Sequence, residues 1–371
     1  MQPILQRGLL GLIVVGLGLV HGSEAAAHPY LIDVWQTDRG LPHNSVTSVL
    51  QTRDGYLWFG TCNGLVRFDG VRFKIFDAGN TPGLKSNRIL KLYEDRQGRL
   101  WIGTETGGLT RYSEGRFQAF GPGEGLADWQ VTALEEDQQG AMWIGTASGG
   151  VSRLSEDRFT TFSEASGLAS PSVTTVSRDV AGQIWLVAGT TLCRFAEGRW
   201  VAWPRGERGD SLRAEKVFAS RDGGLWVVQG DGVRKCRSGA VTEDLVPGLA
   251  AGAVVTVVFE DRAGNLWVGT LTNGLYCYPV DGSAPVRYST PEGLSHNWVR
   301  CLYEDREGSL WIGTGGGGLN RLKKKTFAMF DSQDEYSRIA LLSVCADRDG
   351  NLWAGSEGGG LYRLRDGRMT R

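Results

Sequence analysis

Short apolar runs alternate with polar, glycine-rich turns along most of the chain, and one phrase returns in each period. A tryptophan inside an apolar run recurs every 41 to 44 residues, at Trp58, Trp101, Trp143, Trp185, Trp226, Trp267, Trp311 and Trp353. A glycine stands three residues before each one, at Gly55, Gly98, Gly140, Gly182, Gly223, Gly264, Gly308 and Gly350. An aspartate usually stands six residues before it, at Asp95, Asp137, Asp179, Asp261, Asp305 and Asp347. Eight copies of one phrase indicate tandem repeats.

Each repeat has the pattern of four short strands. In the second repeat an apolar strand at residues 89–93 precedes an Asp-x-x-Gly turn, the tryptophan strand and a third strand at residues 109–112. The fourth strand carries two aromatic residues three positions apart, at Phe117/Phe120, Phe159/Phe162, Trp200/Trp203 and Phe327/Phe330. Four strands in about 40 to 45 residues are typical of a β-propeller blade.

The fold class follows from how such sheets bury their surfaces. A sheet with two apolar faces cannot bury either one alone, whereas a ring of sheets buries each between its neighbours. A linear stack is the alternative, but it leaves apolar end sheets exposed, and no repeat resembles a cap. We therefore predict an all-β protein, a β-propeller of four-stranded antiparallel blades. Eight repeats favour eight blades, and seven blades with a leftover unit is the alternative.

The two ends of the repeat array indicate how the ring closes. The aromatic residue that ends a fourth strand is followed five and six residues later by Gly-Leu, and Trp35 keeps this offset to Gly40 and Leu41. Residues 30–35 are therefore a fourth strand without a blade of its own. The last repeat stops at residues 367–371, where its fourth strand should begin. We predict that the N-terminal strand docks on the last blade, which removes both sheet edges.

The first 27 residues have the features of a secretory signal peptide. Arg7 supplies a positive charge, residues 8–20 are an apolar run, and the small residues at 25–27 resemble a cleavage site. The run is short for a membrane anchor, which needs about 20 apolar residues, although an uncleaved anchor is the alternative. The mature chain is expected to begin near His28, to have no membrane span, and to be periplasmic or secreted. Residues 28–371 are expected to form a single propeller domain.

Composition and charge exclude several classes of protein. Glycine accounts for 54 of the 371 residues, but 10% of the residues are aromatic, which argues against a disordered chain. The 40 basic and 41 acidic residues nearly cancel, which argues against a nucleic-acid partner and a polybasic membrane-surface protein. The cysteines lack metal-ligand spacing, so they are interpreted as small apolar strand residues. A disulfide between Cys301 and Cys345, in comparable segments of successive repeats, is the alternative.

The first repeat resembles the two-component regulator propeller repeat. The resemblance is carried by residues 35–46 (WQTDRGLPHNSV), 51–61 (QTRDGYLWFGT) and 63–70 (NGLVRFDG), and its motif recurs in most repeats. In that family the propellers are the extracytoplasmic sensing part of hybrid histidine kinases and related bacterial receptors. Many of these receptors respond to glycan breakdown products. The resemblance therefore implies a sensory, ligand-recognising role.

The chain also departs from the family pattern. Family receptors carry about twice as many repeats, then an immunoglobulin-like domain, a transmembrane helix and a cytoplasmic output domain, and none of these follows Arg371. The resemblance thus implies one of two cases. The chain is a free-standing periplasmic propeller that needs a signalling partner, such as a membrane histidine kinase, or it is the N-terminal part of a longer receptor.

Candidate binding residues are sought in the loops around the expected channel, where the repeats differ. Trp129 and Trp298 are additional to the repeat pattern, and an aromatic ring at a channel rim can stack on a sugar, with loop packing as the alternative. The candidate ligand-binding residues are Asn44, Asn87, Arg88, Glu105, Trp129, His296, Asn297 and Trp298. His43 and His296 occupy equivalent loops and are interpreted as bonding local backbone, with ligation of a metal or substrate as the alternative. We expect no metal and no cofactor, since no corresponding motif is present.

Three functions follow from these patterns. The first is extracytoplasmic recognition of a small, glycan-type ligand by a sensor propeller that lacks its own output domain. The second is a periplasmic scaffold for protein–protein interaction. The third is a propeller polysaccharide lyase or hydrolase, for which only Glu105 and His296 are catalytic candidates. Because no catalytic constellation is present, we expect that the protein is not an enzyme.

Overall fold

The structure is a computed structural model that describes residues 29–203, 213–230, 232–237, 240–243, 248–325, 340–347, 349, 351–365 and 368–371. The predicted signal peptide and the Phe327/Phe330 pair lie outside these residues. The described chain forms eight sheets of four antiparallel strands, one for each repeat, which confirms the predicted fold class. It divides into two compact units, Met1–Lys324 and Lys325–Arg371, where the sequence predicts one domain.

The first unit contains the strand β1 (Tyr30–Trp35) and the sheets of the first seven repeats. The first four sheets are β2 (Val46–Gln51), β3 (Leu57–Thr61), β4 (Gly64–Phe68) and β5 (Phe73–Phe76); β6 (Ile89–Glu94), β7 (Leu100–Thr104), β8 (Leu109–Ser113) and β9 (Arg116–Phe120); β10 (Val131–Glu136), β11 (Met142–Thr146), β12 (Val151–Ser155) and β13 (Arg158–Phe162); and β14 (Val173–Arg178), β15 (Ile184–Ala188), β16 (Thr191–Ala196) and β17 (Arg199–Ala202). The next three are β18 (Lys216–Ala219), β19 (Leu225–Gln229), β20 (Gly232–Arg237) and β21 (Ala240–Glu243); β22 (Val255–Glu260), β23 (Leu266–Thr270), β24 (Leu275–Tyr278) and β25 (Val286–Tyr288); and β26 (Val299–Glu304), β27 (Leu310–Thr314) and β28 (Leu319–Lys324).

The first unit is a closed ring of seven sheets. β1 pairs antiparallel with β28 along its whole length, from Tyr30 opposite Lys324 to Trp35 opposite Leu319, and is the fourth strand of the seventh sheet. β26 and β27 of that sheet pack against β2 of the first sheet. The prediction of an N-terminal closing strand is therefore confirmed. Its predicted partner, the last repeat, is wrong, and the seven-blade alternative describes this ring.

Contacts with the seventh sheet explain where β1 docks. The Trp35 and Trp311 ring centroids lie 5.3 Å apart, and the Asp33 carboxylate forms an ion pair with Arg321 at 2.6 Å. The seventh repeat supplies three strands of its own among the described residues, so its fourth position is open to β1. Aromatic packing and strand pairing therefore join the two ends of the first unit to each other.

The second unit contains the eighth sheet. Its strands are β29 (Leu341–Ala346), β30 (Leu352–Ser356), β31 (Gly360–Arg365) and β32 (Arg368–Thr370). β32 pairs with β31, so this sheet has a fourth strand of its own. The prediction that the last repeat lacks this strand is wrong, because three residues at the chain end are enough to form it.

The repeat tryptophan lies in the second strand of its sheet and is bonded to the repeat aspartate. Its indole N–H donates to the carboxylate six residues earlier at 2.7 to 3.0 Å, in the pairs Trp101–Asp95, Trp143–Asp137, Trp185–Asp179, Trp267–Asp261, Trp311–Asp305 and Trp353–Asp347. The same carboxylate holds the turn, since Asp305 also accepts the backbone N–H of Ser309. The predicted turn role of the aspartate is confirmed, and a second role in anchoring the core is added.

Glycine two residues after the tryptophan lets neighbouring sheets approach closely. A Cβ at Gly145 would lie 2.8 Å from Val173 in the next sheet, which is closer than real Cβ contacts. The fourth repeat has Val187 at this position instead, and the residue in the place of Val173 is the smaller Ala214. Val187 and Ala214 pack in one core cluster, so the loss of volume at one site accommodates the gain at the other.

Four of the fourth strands lead into a short 3₁₀ turn, at Thr37–Arg39, Pro122–Glu124, Glu164–Ser166 and Thr290–Glu292. Each turn ends at a glycine with positive φ, such as Gly40 at 99°, a conformation that glycine adopts without strain. The leucine that follows is buried, as Leu41 is. β1 therefore has the local structure of a fourth strand, as its Gly-Leu offset predicts.

The six cysteines are unbridged in the structure, and a Cys301–Cys345 disulfide, which would join the two units, stays a prediction. Cys193, Cys236 and Cys277 are buried strand residues, which agrees with their interpretation as small apolar side chains. Among the residues that the structure describes, no helix is long and apolar enough to cross a membrane.

Candidate functional site

A cavity of about 560 Å³ lies at the centre of the seven-sheet ring and is bounded by the first strands of all seven sheets. We call it the mouth cavity. Its lining residues are Thr47, Ser48, Leu90, Lys91, Thr132, Thr174, Thr175, Lys216, Phe218, Thr256, Val257, Val258, Phe259, Leu271, Trp298, Arg300, Cys301 and Leu302. A second cavity of about 320 Å³ is lined by residues nearer the ends of the same strands, among them Glu135 and Glu260. Lys91 borders both cavities.

Seven residues occupy one level of the first strands, because each lies opposite the second residue after the repeat tryptophan. We call them the channel ring, and they are Ser48, Lys91, Ala133, Thr175, Lys216, Val257 and Cys301. The Ser48 hydroxyl accepts the backbone N–H of Leu92 at 3.2 Å, and the Thr175 hydroxyl accepts that of Val217 at 3.0 Å. Both hydroxyls therefore keep their own hydrogen for another acceptor.

In five of the seven sheets, the side chain of the residue just before the channel ring bonds to the next sheet. In four sheets it is a threonine whose hydroxyl donates to a backbone carbonyl of the next sheet, in the pairs Thr47–Ile89, Thr132–Val173, Thr174–Glu215 and Thr256–Val299. The seventh sheet has Arg300 here, and its guanidinium donates to the Ser45 hydroxyl of the first sheet at 2.9 Å. Arg300 thus spans the junction where the ring closes and adds a positive charge to the mouth cavity.

Trp298 forms part of the wall of the mouth cavity. Its indole lies over Gly315, where a Cβ would overlap the ring. The guanidinium carbon of Arg300 lies 5.0 Å from the ring centroid, within the range of a cation–π contact. Glycine beneath the indole and arginine beside it define a flat aromatic surface with a cationic edge.

The three predicted asparagines each hold a loop through the side-chain oxygen. Asn44, Asn87 and Asn297 accept the backbone N–H groups of Thr37, Ala78 and Thr290 at 2.9, 2.7 and 2.9 Å. The Asn44 carbonyl also accepts the N–H of Gly318 in the seventh sheet at 2.8 Å. These contacts make the asparagines positioning residues of the rim, and none of them lines the mouth cavity.

The two loop histidines bond the local backbone in the same way. The Nδ1 atom of His43 accepts the N–H of Ser45 at 2.8 Å, and that of His296 accepts the N–H of Trp298 at 3.0 Å. The interpretation of both histidines as residues that bond local backbone is confirmed. His296 also orients the backbone of Trp298.

The remaining predicted residues lie at three other loops of the rim. Arg88 and Glu105 form an ion pair between the loop before β6 and the loop after β7. Trp129 lies before β10, is 50% exposed, and packs over Gly121. His296, Asn297 and Trp298 lie in the loop between the sixth and seventh sheets, and Asn44 lies in the loop between the seventh and the first. Both loops contact the glycine-rich turn at residues 315–318. The structure places Asn87, Arg88, Glu105 and Trp129 elsewhere on the rim.

Three cationic residues of the mouth cavity are absent from the sequence prediction: Lys91, Lys216 and Arg300. The signal for them is present in the repeats. At the channel-ring level the other five sheets carry serine, alanine, threonine, valine and cysteine, so a lysine departs from the pattern at two positions. Aligning first strands on the repeat tryptophan would have found both lysines.

The second cavity contains an acid with a shifted pKa. Burial raises the pKa of Glu135 to about 7, and the nearby Arg178 guanidinium, 3.6 Å away, opposes this shift. The Tyr93 hydroxyl donates to the Glu135 carboxylate at 3.4 Å. Burial also raises the pKa of Tyr93, so this phenol remains protonated at neutral pH.

Solved structures with similar folds include extracellular domains and an enzyme. An extracellular domain assigned to a hybrid two component system of B. thetaiotaomicron is 24% identical with a TM-score of 0.70, over 92% of this chain and 49% of its own. A second such domain from B. thetaiotaomicron is 20% identical with a TM-score of 0.66, over 91% and 46%. A virginiamycin B lyase from Staphylococcus aureus is 14% identical with a TM-score of 0.62, over 79% and 99%.

These likenesses show the propeller fold, and the chain spans about half the length of the two extracellular domains. No curated protein matches the chain significantly in sequence. The family model described as "Two component regulator propeller" matches residues 40–63, 83–106, 126–148, 248–272 and 293–316. The matched segments contain the turn, the tryptophan strand and the glycine-rich loop of five repeats. Five of the eight repeats therefore match the two component regulator propeller repeat.

Proposed function

We propose that the chain is an extracytoplasmic ligand-recognition domain, and that a small glycan-type ligand binds in the mouth cavity against Trp298. The observation that carries this proposal is the cavity itself. Its volume of about 560 Å³ lies within the range of about 300 to 1,000 Å³ that small-molecule sites occupy. The match of five repeats to the two component regulator propeller model, and the fold shared with extracellular domains of two component systems, support a sensory role.

The chemistry of the cavity wall suits a ring-shaped, hydroxylated ligand. The indole of Trp298 offers a flat apolar face, while the hydroxyls of Ser48 and Thr175 offer hydrogen-bond donors on other sheets. The loop that carries the indole is held by His296 and Asn297 through backbone bonds. A wall that is ordered before binding loses less entropy when the ligand arrives.

The site is tested by replacing Trp298 with alanine and measuring affinity for a panel of oligosaccharides by calorimetry. We expect Trp298→Ala to weaken binding at least tenfold, because the aromatic face that stacks on the ligand is lost. Trp129→Ala tests the second aromatic candidate of the rim in the same way. Val254→Ala is the matched control, since this side chain is 48% exposed, occupies the same loop position in the sixth sheet, and does not line the cavity.

The control variant should bind as the parent protein does, and all three variants should keep the parent melting temperature. Unchanged affinity in both tryptophan variants would remove the rim and the cavity wall as the binding site. If Val254→Ala lost as much affinity as Trp298→Ala, the loops rather than the indole face would determine binding.

The proposed location and partner are tested in cells. We expect N-terminal sequencing of the exported protein to find a mature chain that begins near His28. We expect a membrane histidine kinase to co-purify with the protein, and ligand to change the recovered amount. Co-purification of a partner that is indifferent to every tested glycan would favour a protein-interaction scaffold instead.

A further inference from the structure

The mouth cavity has an excess of positive charge. Lys91, Lys216 and Arg300 line it, and no aspartate or glutamate is among its described lining residues. Lys91 forms no hydrogen bond or ion pair with any described residue, whereas Lys216 donates to the Thr256 carbonyl at 2.6 Å. Both lysines belong to the channel ring, so they lie at one level of the channel.

The three cations repel one another. The pKa of Lys91 is lowered mainly by burial and further by the charge of Arg300. The pKa of Lys216 is lowered to about 8, mainly by burial and then by the charge of Lys91. Lys91 and Lys216 are partly buried, and the charge of Lys91 lowers the pKa of Lys216, so a shared negative charge would stabilise the protonated forms of both.

Among the described residues, the acidic groups near the channel do not supply that charge, and Glu135 of the second cavity is paired with Arg178. Burial raises the pKa of the Cys301 thiol to about 12, so this neighbour of Lys91 is uncharged. Glu215, next to Lys216, is exposed and lies outside the lining of the cavity. Glu105 is paired with Arg88. Glu260 accepts the backbone N–H of Arg221 in the second cavity.

The channel ring also supplies neutral donors at the same level. The hydroxyls of Ser48 and Thr175 already accept a backbone N–H each, so their hydrogens are available to an acceptor in the cavity. Two ammonium groups and two hydroxyl groups therefore converge from four different sheets. Although Lys216 also donates to a backbone carbonyl, no carboxylate is among the described lining residues. Charged and neutral donors that converge without an internal anion match the hydrogen-bonding needs of an oxyanion.

We propose that the mouth cavity binds an acidic ligand, whose carboxylate, sulfate or phosphate group is held by Lys91, Lys216, Ser48 and Thr175 while its ring lies against Trp298. This inference rests on the proposed ligand-recognition site and gives it a ligand class. It makes the ligand acidic rather than neutral. The same anionic group occurs on an acidic saccharide and in a free inorganic anion, so the test includes both.

The first arm of the test uses inorganic sulfate and phosphate as probes, with chloride at matched ionic strength as the reference. We expect both probes to raise the melting temperature in a saturable way. Lys91→Gln and Lys216→Gln should each weaken the apparent affinity at least tenfold, because each removes a charge-assisted bond to the anion. Lys91→Arg, which keeps the charge, should retain binding. Lys74→Gln is the matched control, because Lys74 is an exposed lysine on the outer strand β5.

The second arm separates the two sources of the anion. We expect galacturonate oligomers to displace sulfate and to bind at least tenfold more tightly than their methyl esters, which have the same rings without the charge. Displacement by inorganic phosphate but not by galacturonate would restrict the site to free anions and overturn the ligand class proposed here. No anion-specific stabilisation, or equal stabilisation in Lys91→Gln, would overturn the anion site itself.

Failure of the anion site can be distinguished from failure of the proposed function. Trp298→Ala should leave sulfate binding within twofold, because the indole contacts the ring of the ligand and not its charge. Loss of glycan binding in Trp298→Ala together with absence of any sulfate effect would retain the recognition site and reject its acidic ligand. Melting temperatures in chloride show whether each variant is folded.

Discussion

At the scale of single residues, the feature of this fold that recurs is the hydrogen bond from an indole N–H to an aspartate. In each case one carboxylate oxygen holds the turn and the other reaches the tryptophan of the following strand, as Asp305 does for Ser309 and Trp311. The indole would otherwise bury an unpaired donor, which is costly in a core. The spacing of six residues is thus a requirement of hydrogen bonding as well as of turn geometry.

Replacement of Asp305 by alanine tests this bond. We expect the free energy of unfolding to fall by about 2 to 3 kcal/mol, because a buried indole N–H and a turn N–H lose a charged acceptor. Chemical denaturation measures the change. Asp38→Ala, at an exposed aspartate of the first 3₁₀ turn, should change the stability by less than about 0.5 kcal/mol. Equal effects of the two variants would contradict a core role for the bond.

Sequence reasoning could identify the aspartate but not its second contact. The Asp-x-x-Gly pattern predicts a turn from local backbone chemistry alone. That the tryptophan of the next strand folds back within 2.7 to 3.0 Å of the carboxylate depends on the path of the hairpin, which a spacing does not specify. In the fifth repeat, Trp226 takes a different acceptor, Glu260 of the next sheet, which no local pattern would reveal.

Glu135 makes the stability of the molecule depend on pH. Its pKa is raised from 4.5 to about 7 in the folded protein, so the neutral acid is the favoured buried form. The folded state binds the proton more tightly than the unfolded state does. The contribution is therefore fully present below about pH 4.5 and is lost as the pH rises through 7.

Glu135→Gln should remove this dependence. We expect the variant to gain stability relative to the parent between pH 5 and pH 8, by about 2 to 3 kcal/mol, since the amide has no charge to bury. Parallel unfolding curves at several pH values measure the difference. Glu164→Gln, at an exposed glutamate, is the control. A constant difference between parent and variant across this range would contradict the raised pKa.

At the scale of elements, β1 is the strand on which the ring depends. Its side chains connect it to the seventh sheet by an aromatic contact and an ion pair, while backbone bonds pair it along its whole length with β28. The guanidinium of Arg321 lies over both Trp35 and Trp311, at 5.3 and 5.5 Å from their centroids. Three residues from two ends of the first unit thus form one packed group.

Shortening side chains of β1 should distinguish the contribution of side-chain packing from that of backbone pairing. Trp35→Ala is expected to lower the free energy of unfolding by about 2 to 3 kcal/mol, because it removes a large aromatic contact surface from Trp311. Leu31→Ala, in the same strand, should cost less than about 0.5 kcal/mol, since Leu31 is 55% exposed. Thermal and denaturant unfolding measure both variants. Similar small losses in both would indicate that backbone pairing alone holds the strand.

The identity of β1 as a fourth strand could be predicted, but its partner could not. The Gly-Leu offset is local and appears in the structure as a 3₁₀ turn with a glycine end. The third strands of the seventh and eighth repeats carry the same Leu-x-Arg-Leu pattern, with Arg321 and Arg363 at equivalent positions. A strand with Asp33 facing outward has complementary charge to either one. Which one it pairs with depends on the radius of the ring, a property of all sheets together.

At the scale of the whole molecule, the first unit repeats one threonine junction in four of its seven sheets and varies the side chains that face the channel. The threonine junctions are alike, whereas the channel ring holds lysine at two positions and smaller side chains at the others. The repeat pattern therefore predicts the ring and its core. The mouth cavity combines residues from seven first strands, so its charge becomes visible only when the strands are placed side by side.

A disulfide between β1 and β28 would test closure of the ring directly. Leu31 and Lys323 are paired across these strands, so Leu31→Cys with Lys323→Cys should form a bond under oxidising conditions. Because this bond closes nearly the whole first unit into a loop, we expect a stabilisation of up to about 5 kcal/mol that reductant abolishes. A Ser113→Cys/Arg116→Cys pair, across one tight turn, should stabilise by about 2 kcal/mol. Failure to recover a 31–323 peptide link would contradict the pairing.

Closure by β1 also imposes an order on assembly. β28 leaves the ribosome roughly 290 residues after its partner, which at about 5 to 20 residues per second is a delay of about 15 to 60 s. Hairpins within each sheet join strands that are neighbours in sequence, so they can form during that delay. The pairing of β1 with β28 must wait until β28 has been made. The indole of Trp298 and the guanidinium of Arg300 are synthesised with the same seventh sheet, the last of the first unit. The proposed ligand site is therefore complete only when the ring closes, and a partly synthesised chain lacks its aromatic wall.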